Sequence, residues 1–162
     1  MFEILDRQNL APGIVLFEVL APRIAKKHRA GQFVMVRPSE SSERIPLPVA
    51  STSLARQSIS VAVKTSGKTT VEMSTRFGKG GSFHNVAGPL GTPVRISLPG
   101  KEEGERGTVV CVAGGIGAAT MLPIARAFTE KGHEVVTITG ARTAELLILR
   151  NHLDEASERL LV

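Results

Sequence analysis

Tyrosine and tryptophan are absent from this sequence of 162 residues, and phenylalanine occurs only six times. Little aromatic surface is left on which bases could stack. The formal net charge of +5 is therefore read mainly as a solvated basic face, with nucleic-acid binding as a third-ranked reading. The densest basic stretch is short, Arg23 to Arg29 (RIAKKHR). A single cysteine, Cys111, excludes an internal disulfide and any all-cysteine metal site. An iron–sulfur cluster needs about four thiolates, so none is expected on this chain. His28, His84, His133 and His152 lack metal-ligand spacing and receive no role. No apolar run approaches the roughly 18 residues of a membrane span. The opening MFEILDRQN lacks the basic flank and apolar block of a secretory signal. These absences point to a reducing cytoplasm.

What is present is organised around Thr108 to Phe128 (TVVCVAGGIGAATMLPIARAF). Val109 to Ala113 form a short apolar run rich in β-branched residues, which reads as a parallel strand buried on both faces. Gly114, Gly115 and Gly117 follow, and then a helical pattern over Ala118–Lys131. Strand, glycine turn and helix in that order can cradle a phosphate, because glycine lets backbone approach a ligand and helix-start N–H groups face an anion. The spacing falls short of G-x-G-x-x-G, so as a bare motif it fits a tight connection equally well. Strand Glu134–Gly140 and a helix over Thr143–Ala156 continue the alternation, with Gly132 ending the first helix. The pattern βαβα implies a parallel sheet and a nucleotide-type domain. Leu160 to Val162 begin a third strand, whereas a doubly wound sheet has about five. This block is thus expected to be a piece of a larger domain, or one that a partner completes.

Met1 to about Val86 reads differently. Short strands over Phe2–Leu5, Ile14–Leu20, Phe33–Arg37 and Ile59–Lys64, separated by turn signals, suggest a small antiparallel barrel. A helix over Thr69–Phe77 interrupts it, with Glu72 in its first turn and Arg76 near its end. AGPLGTP, from Ala87, reads as a structured turn, and Pro99–Gly107 as a solvated linker or hairpin tip.

Two further constellations carry chemistry. Gly67, Lys68, Thr69 and Thr70 stand after a strand and at a helix start, which suits a diphosphate. The alternative is plain capping by Ser66 or Thr69. Arg44 precedes Pro46-Leu47-Pro48-Val49, a stiff segment able to offer a backbone edge to a flat ring, with the guanidinium reaching a phosphate. The alternative is an edge strand with Arg44 solvated.

Taken in order, RIPLPVA, GKTTVEM, GPLG, GGIG and GART, together with the opening LAPGIVLFEVLAPRIAKKHRAGQFVMVR, resemble the ferredoxin–NADP reductase superfamily across the whole chain. Within it, the similarity is to flavin-containing electron-transfer subunits of ferredoxin:NADP oxidoreductase and dihydroorotate dehydrogenase complexes. The resemblance implies a six-stranded flavin-binding barrel over residues 1–98, a linker over 99–107, and part of an NAD(P)-binding α/β domain over 108–162. It implies that Arg44 meets the FAD diphosphate, that Pro46, Leu47 and Val49 flank the isoalloxazine, and that Gly67, Lys68, Thr69 and Thr70 hold phosphates. Gly114, Gly115 and Gly117 would take the dinucleotide, with Gly140, Arg142 and Thr143 near its adenosine ribose. Family members usually carry Thr or Ser where this chain has Pro48, which offers neither hydroxyl nor N–H. Members also continue for about another hundred residues, with cysteines that hold a [2Fe–2S] cluster.

The expected function is hydride exchange between NAD(P)H and FAD, followed by electron delivery to an iron–sulfur partner subunit or ferredoxin. No side chain stands out as a catalytic acid or base, since the cofactor carries that chemistry. The alternative is a non-catalytic module that docks onto a partner without turnover. Dimerisation through residues 108–162, or a partner bound there, is expected, because the apolar strand Thr108–Ala113 needs more cover than two helices and one further strand supply.

Overall fold

The computed structural model describes residues 1–97 and 105–162. Most of the expected linker Pro99–Gly107 therefore lies outside the described residues.

The first half folds as β1 (Phe2–Ala11), β2 (Ile14–Leu20), α1 (Pro22–Lys27), β3 (Phe33–Arg37), β4 (Ile45–Ser53), β5 (Ser58–Lys64), α2 (Lys68–Arg76), β6 (Ser82–Phe83) and β7 (Asn85–Leu90). Its strands form an antiparallel, nearly closed barrel sheet in the order β6-β1-β2-β5-β4-β3-β7. Alternation drives the closure: Val15, Phe17 and Val19 of β2 and Ile59, Val61 and Val63 of β5 all enter one buried core. Met73 from α2 plugs that core, and Phe17 meets Phe83 edge-on with ring centroids 5.3 Å apart.

Seven strands replace the expected six. The extra pairing comes from Ser82–Phe83 and from Asn85–Leu90, whose Gly and Pro suggest a turn. Gly88 serves the sheet itself. A Cβ there would sit 2.8 Å from Val34 Cγ1, so a larger residue would push β7 off β3. The RIAKKHR stretch also gains structure: Pro22 occupies the first turn of α1, Ile24 and Ala25 are buried, and the lysines end the helix.

The pairing of β4 explains two prolines inside a sheet. Its first half pairs only with β3 (Leu47 with Val34, Pro46 with Met35, Pro48 with Phe33), and its second half only with β5 from Val49 onward. Pro46 and Pro48 thus lie where one side of the strand has no neighbour, the position in which a missing N–H costs least.

The second half comprises β8 (Thr108–Gly114), α3 (Gly117–Glu130), β9 (Glu134–Gly140), a 3-10 turn over Ala144–Leu146, α4 (Arg150–Glu155) and β10 (Arg159–Leu161). The strands are parallel, in the order β10-β9-β8. Gly132 takes φ +84° just past α3, as a helix-ending glycine should.

Two expectations are corrected. The strand Thr108–Ala113 is not buried on both faces: Cys111 and Ala113 are covered, whereas Val110 and Val112 are 59% and 64% exposed. An unbroken apolar run does not distinguish one covered face from two. The helix expected over Thr143–Ala156 is broken, because Leu149 takes φ +56° and separates the 3-10 turn from α4. That break seats Ile148 in the same core as Leu122, Phe128 and Leu153. Burial likewise raises the Cys111 thiol above its ordinary pKa, in keeping with a core role.

The halves are packed together. Ile14 enters the second core beside Cys111 and Ala113. Ala50 and Ala62 on the outside of the barrel meet Ala119 of α3, all essentially without exposure. A pairing irregularity between Val49 and Ser51 accompanies Ala50's place in that contact.

Candidate functional site

The carboxyl ends of β8 and β9 open on a crevice of about 830 Å³ that the barrel closes from the other side. Open α/β sheets bind ligands beyond these strand ends. Gly114, Gly115, Gly140 and Arg142 line it from the second half, and Pro12, Ile14 and Lys64 from the barrel. Gly117 starts α3 next to this lining, and Thr143 stands just before the 3-10 turn.

The glycine turn is suited to backbone approach. Gly115 has φ +51°, and its amide donates to the Gly140 carbonyl at 2.9 Å, joining the ends of the two strands. Adjacent residues and the backbone of α3 aside, no atom of the described residues comes within 4 Å of a Cβ built on Gly114, Gly115, Gly117 or Gly140. A side chain at these positions would instead occupy the space a ligand needs. Arg142 is exposed, and among the described residues it forms no ion pair with Glu145.

Lys64, Ile14 and Pro12 were missed by sequence reasoning. The available signal was register: Ile14 and Lys64 are direct partners across β2 and β5, so both stand at the barrel end that meets the crevice.

At the start of α2, Thr70 Oγ1 accepts from the amides of Ser66 and Gly67 at 3.0 and 2.9 Å. Thr70, not Ser66 or Thr69, is therefore the capping side chain. Thr69 is buried, and Lys68 is exposed. The first amides of a helix have no partner within it, so those of Lys68, Thr69 and Thr70 remain as donors beside the lysine. Glu72 lies beyond the first turn and does a different job from the one expected. It accepts from Ser42 and Ser39 hydroxyls at 2.7 and 3.0 Å and pairs with Arg76 at 3.3 Å. The Ser42 hydroxyl chiefly, then Ser39, Arg76 and Lys68, hold its carboxyl below the usual carboxylate range. Glu72 thereby ties the loop leading to Arg44 onto α2, which brings the two candidate phosphate-binding constellations onto neighbouring elements.

Arg44 is exposed and donates from Nη1 to Asn85 Oδ1 at 3.2 Å. Along β4, the side chains of Leu47 and Val49 are buried in the barrel core, whereas Pro46 is exposed and Pro48 half-buried beside the open backbone edge. Among the described residues no group of His, Cys, Asp and Glu could hold a metal ion, and no helix is long and apolar enough to cross a membrane.

No protein-family model matches the sequence. Individual proteins do. The chain is 39% identical over 160 residues to the dihydroorotate dehydrogenase B (NAD(+)) electron transfer subunit homolog of Thermotoga maritima, covering 99% of this chain and 54% of that protein. It is 29% identical to the electron transfer subunit of the same name from Streptococcus pneumoniae, over 93% of this chain and 58% of the relative. A solved structure of NADH-dependent reduced ferredoxin-NADP oxidoreductase, determined for flavin-based electron bifurcation, superposes with a TM-score of 0.89 at 37% identity, covering 99% of this chain and 56% of the other. Phthalate dioxygenase reductase, at 20% identity and TM-score 0.67, shares the fold over 97% of this chain and 47% of its own. The chain thus spans about half the length of the relatives it matches.

Proposed function

Because the sequence and the fold are those of the ferredoxin–NADP reductase superfamily, we propose that this chain is the flavin-binding and nicotinamide-binding part of an electron-transfer oxidoreductase. Residues 1–98 are assigned to FAD and residues 108–162 to part of the NAD(P) domain. The observation that carries this reading is the shared crevice, where the glycine-lined strand ends of one half face Lys64 and Ile14 of the other.

The donor set fits FAD. Arg44, Lys68 and the free amides of Lys68–Thr70 suit a diphosphate, and the open edge at Pro46 and Pro48 leaves room for a flat ring. When bound, FAD would accept a hydride from NAD(P)H and pass electrons onward to an iron–sulfur partner subunit or ferredoxin. The chain's own residues bind and orient. Gly114, Gly115, Gly117 and Gly140 clear space for a dinucleotide backbone, Lys64 supplies a cation from the barrel wall, and Ile14 excludes water. Arg142 and Thr143 stand where the adenosine ribose is expected. A reducing cytoplasm is the compartment proposed, consistent with the single free thiol.

The test is anaerobic mixing of the FAD-loaded chain with NADH. Bleaching of the flavin band supports the reading; a flavin that binds but never bleaches favours a docking module without turnover. Pro48, lacking a hydroxyl and an N–H, is the observation on that second side.

Arg142→Ala should weaken NADP⁺ about tenfold and NAD⁺ less than twofold, since a guanidinium without a carboxylate partner favours a 2′-phosphate. Equal affinities before and after the change, by calorimetry, would make Arg142 an ordinary surface residue.

The uncovered sheet face is assigned to association, through a partner subunit or a second copy. Val110, Val112, Ile138 and Leu161 are all exposed there. Light scattering of the 162-residue chain should show concentration-dependent association that Val112→Lys suppresses. A monomer at all concentrations would remove self-association from the proposal.

A further inference from the structure

The basic stretch that ends at Arg29 plays no part in the crevice. It borders a second groove of about 590 Å³, between the barrel and α3, lined by His28, Arg29, Ser51, Arg95, Arg126 and Glu130 among others. None of its lining residues belongs to the crevice.

The groove is held in shape by backbone. The Val94 amide donates to the Ala30 carbonyl at 2.9 Å, and Gln32 Nε2 donates to the Gly91 carbonyl at 2.9 Å. Gly31 has φ +87°, and a Cβ on it would fall 2.6 Å from Val94 Cγ2. Only glycine lets the segment carrying Arg95 lie so close to the end of α1.

Three arginines line this groove from three separate parts of the chain: Arg29 after α1, Arg95 between the two halves, and Arg126 on α3. Among the described residues none of them makes an ion pair or a side-chain hydrogen bond. Among the described residues the lining holds one acid, Glu130, so their balance with His28 neutral is +3 − 1 = +2. His28 Nε2 is out of solvent and has no hydrogen-bond partner among the described residues. Burial lowers its pKa, so the imidazole is neutral at pH 7. Three like charges facing a single carboxylate repel one another on balance, and an anion would relieve that. The planar fork of arginine matches phosphate oxygens in pairs. The volume is within the range of small-ligand sites.

We propose that this groove binds a diphosphate group, carried either by free pyrophosphate or by a nucleoside diphosphate. Arg29 would hold it from the barrel and Arg126 from α3, so the ligand would clamp the two halves together. The site is independent of the flavin reading, since it shares no residue with that machinery.

The test is an NMR titration of the full chain that follows the His28 imidazole, which reports on this groove and not on the crevice. Inorganic pyrophosphate and ADP should each move the His28 resonance saturably. Equal midpoints identify the diphosphate alone as the ligand; a midpoint at least tenfold lower for ADP identifies the nucleoside form. Arg95→Ala and Arg126→Ala should each raise the midpoint about tenfold or more, the usual loss for a charge-assisted hydrogen bond. Arg126→Gln keeps most of the side-chain stem and serves as a second variant if Arg126→Ala loses its dispersed amide spectrum. A His28 resonance unmoved by either anion overturns the proposal, as does a shift that persists unchanged in the arginine variants.

Discussion

Flavin released from the purified chain is expected to be FAD and not FMN. Two proposed anion-binding elements stand on neighbouring parts of the fold, Arg44 on the β3–β4 loop and Lys68 with the first amides of α2. Glu72 ties one to the other through Ser39 and Ser42. A single phosphate would occupy one of them and leave the other without a ligand. Lys68→Ala removes a charged donor, which is worth about 1.5–3 kcal/mol, or roughly ten- to a hundredfold in affinity. Thr70 needs more care, because its hydroxyl oxygen accepts from two backbone amides and organises the helix start. Thr70→Ala should therefore weaken flavin binding partly by fraying α2, whereas Thr70→Ser should retain most of the affinity. Chromatography of the extracted flavin settles the first point, and fluorescence titration of the three variants the second. FMN alone in the extract, or wild-type affinity in Lys68→Ala, would end the assignment.

The second large effect concerns the contact between the halves. Ala50, Ala62 and Ala119 meet where no space remains, so Ala119→Leu must either distort α3 or lever it away from β4. Overpacking of this kind costs about 1–3 kcal/mol. The barrel core, built around Phe17 and Phe83, is separate from this contact and should survive. The expected result is a chain that still binds FAD with wild-type affinity but is reduced by NADH at least a hundredfold more slowly. A misplacement of about 1 Å between reacting groups is enough for such a loss. Unchanged reduction in Ala119→Leu would mean that the alanine contact does not set the crevice geometry.

The contrast between these two regions mirrors what could be read from the residues. The β8–α3–β9 unit was legible because its cues are local: a β-branched run, a glycine turn, and a helix ended by Gly132. The β7 strand was not, and β4 was legible only as an alternative edge strand, because proline and glycine normally argue against a strand. Only the one-sided pairing of β4 and the close approach of Val34 to Gly88 explain them. The run of apolar residues from Leu146 to Leu149 satisfies a helical period, yet the chain bends at Leu149 to bury Ile148. Lys64 was passed over since nothing in its own neighbourhood marks it; its place depends on the pairing of β2 with β5 and on how the second half seats against the barrel.

The half-paired strand has a further consequence for what can approach this protein. An unpaired strand edge ordinarily invites another strand, from a second molecule, to add to the sheet. On β4 that invitation is withdrawn, because Pro46 and Pro48 supply carbonyls but no N–H donors, and their rings obstruct a second backbone. A flat aromatic molecule needs no ladder of alternating donors and acceptors, so the same edge remains open to it. On the proposed flavin reading, the two prolines would sort visitors by shape, turning away polypeptide while leaving a planar ring its place.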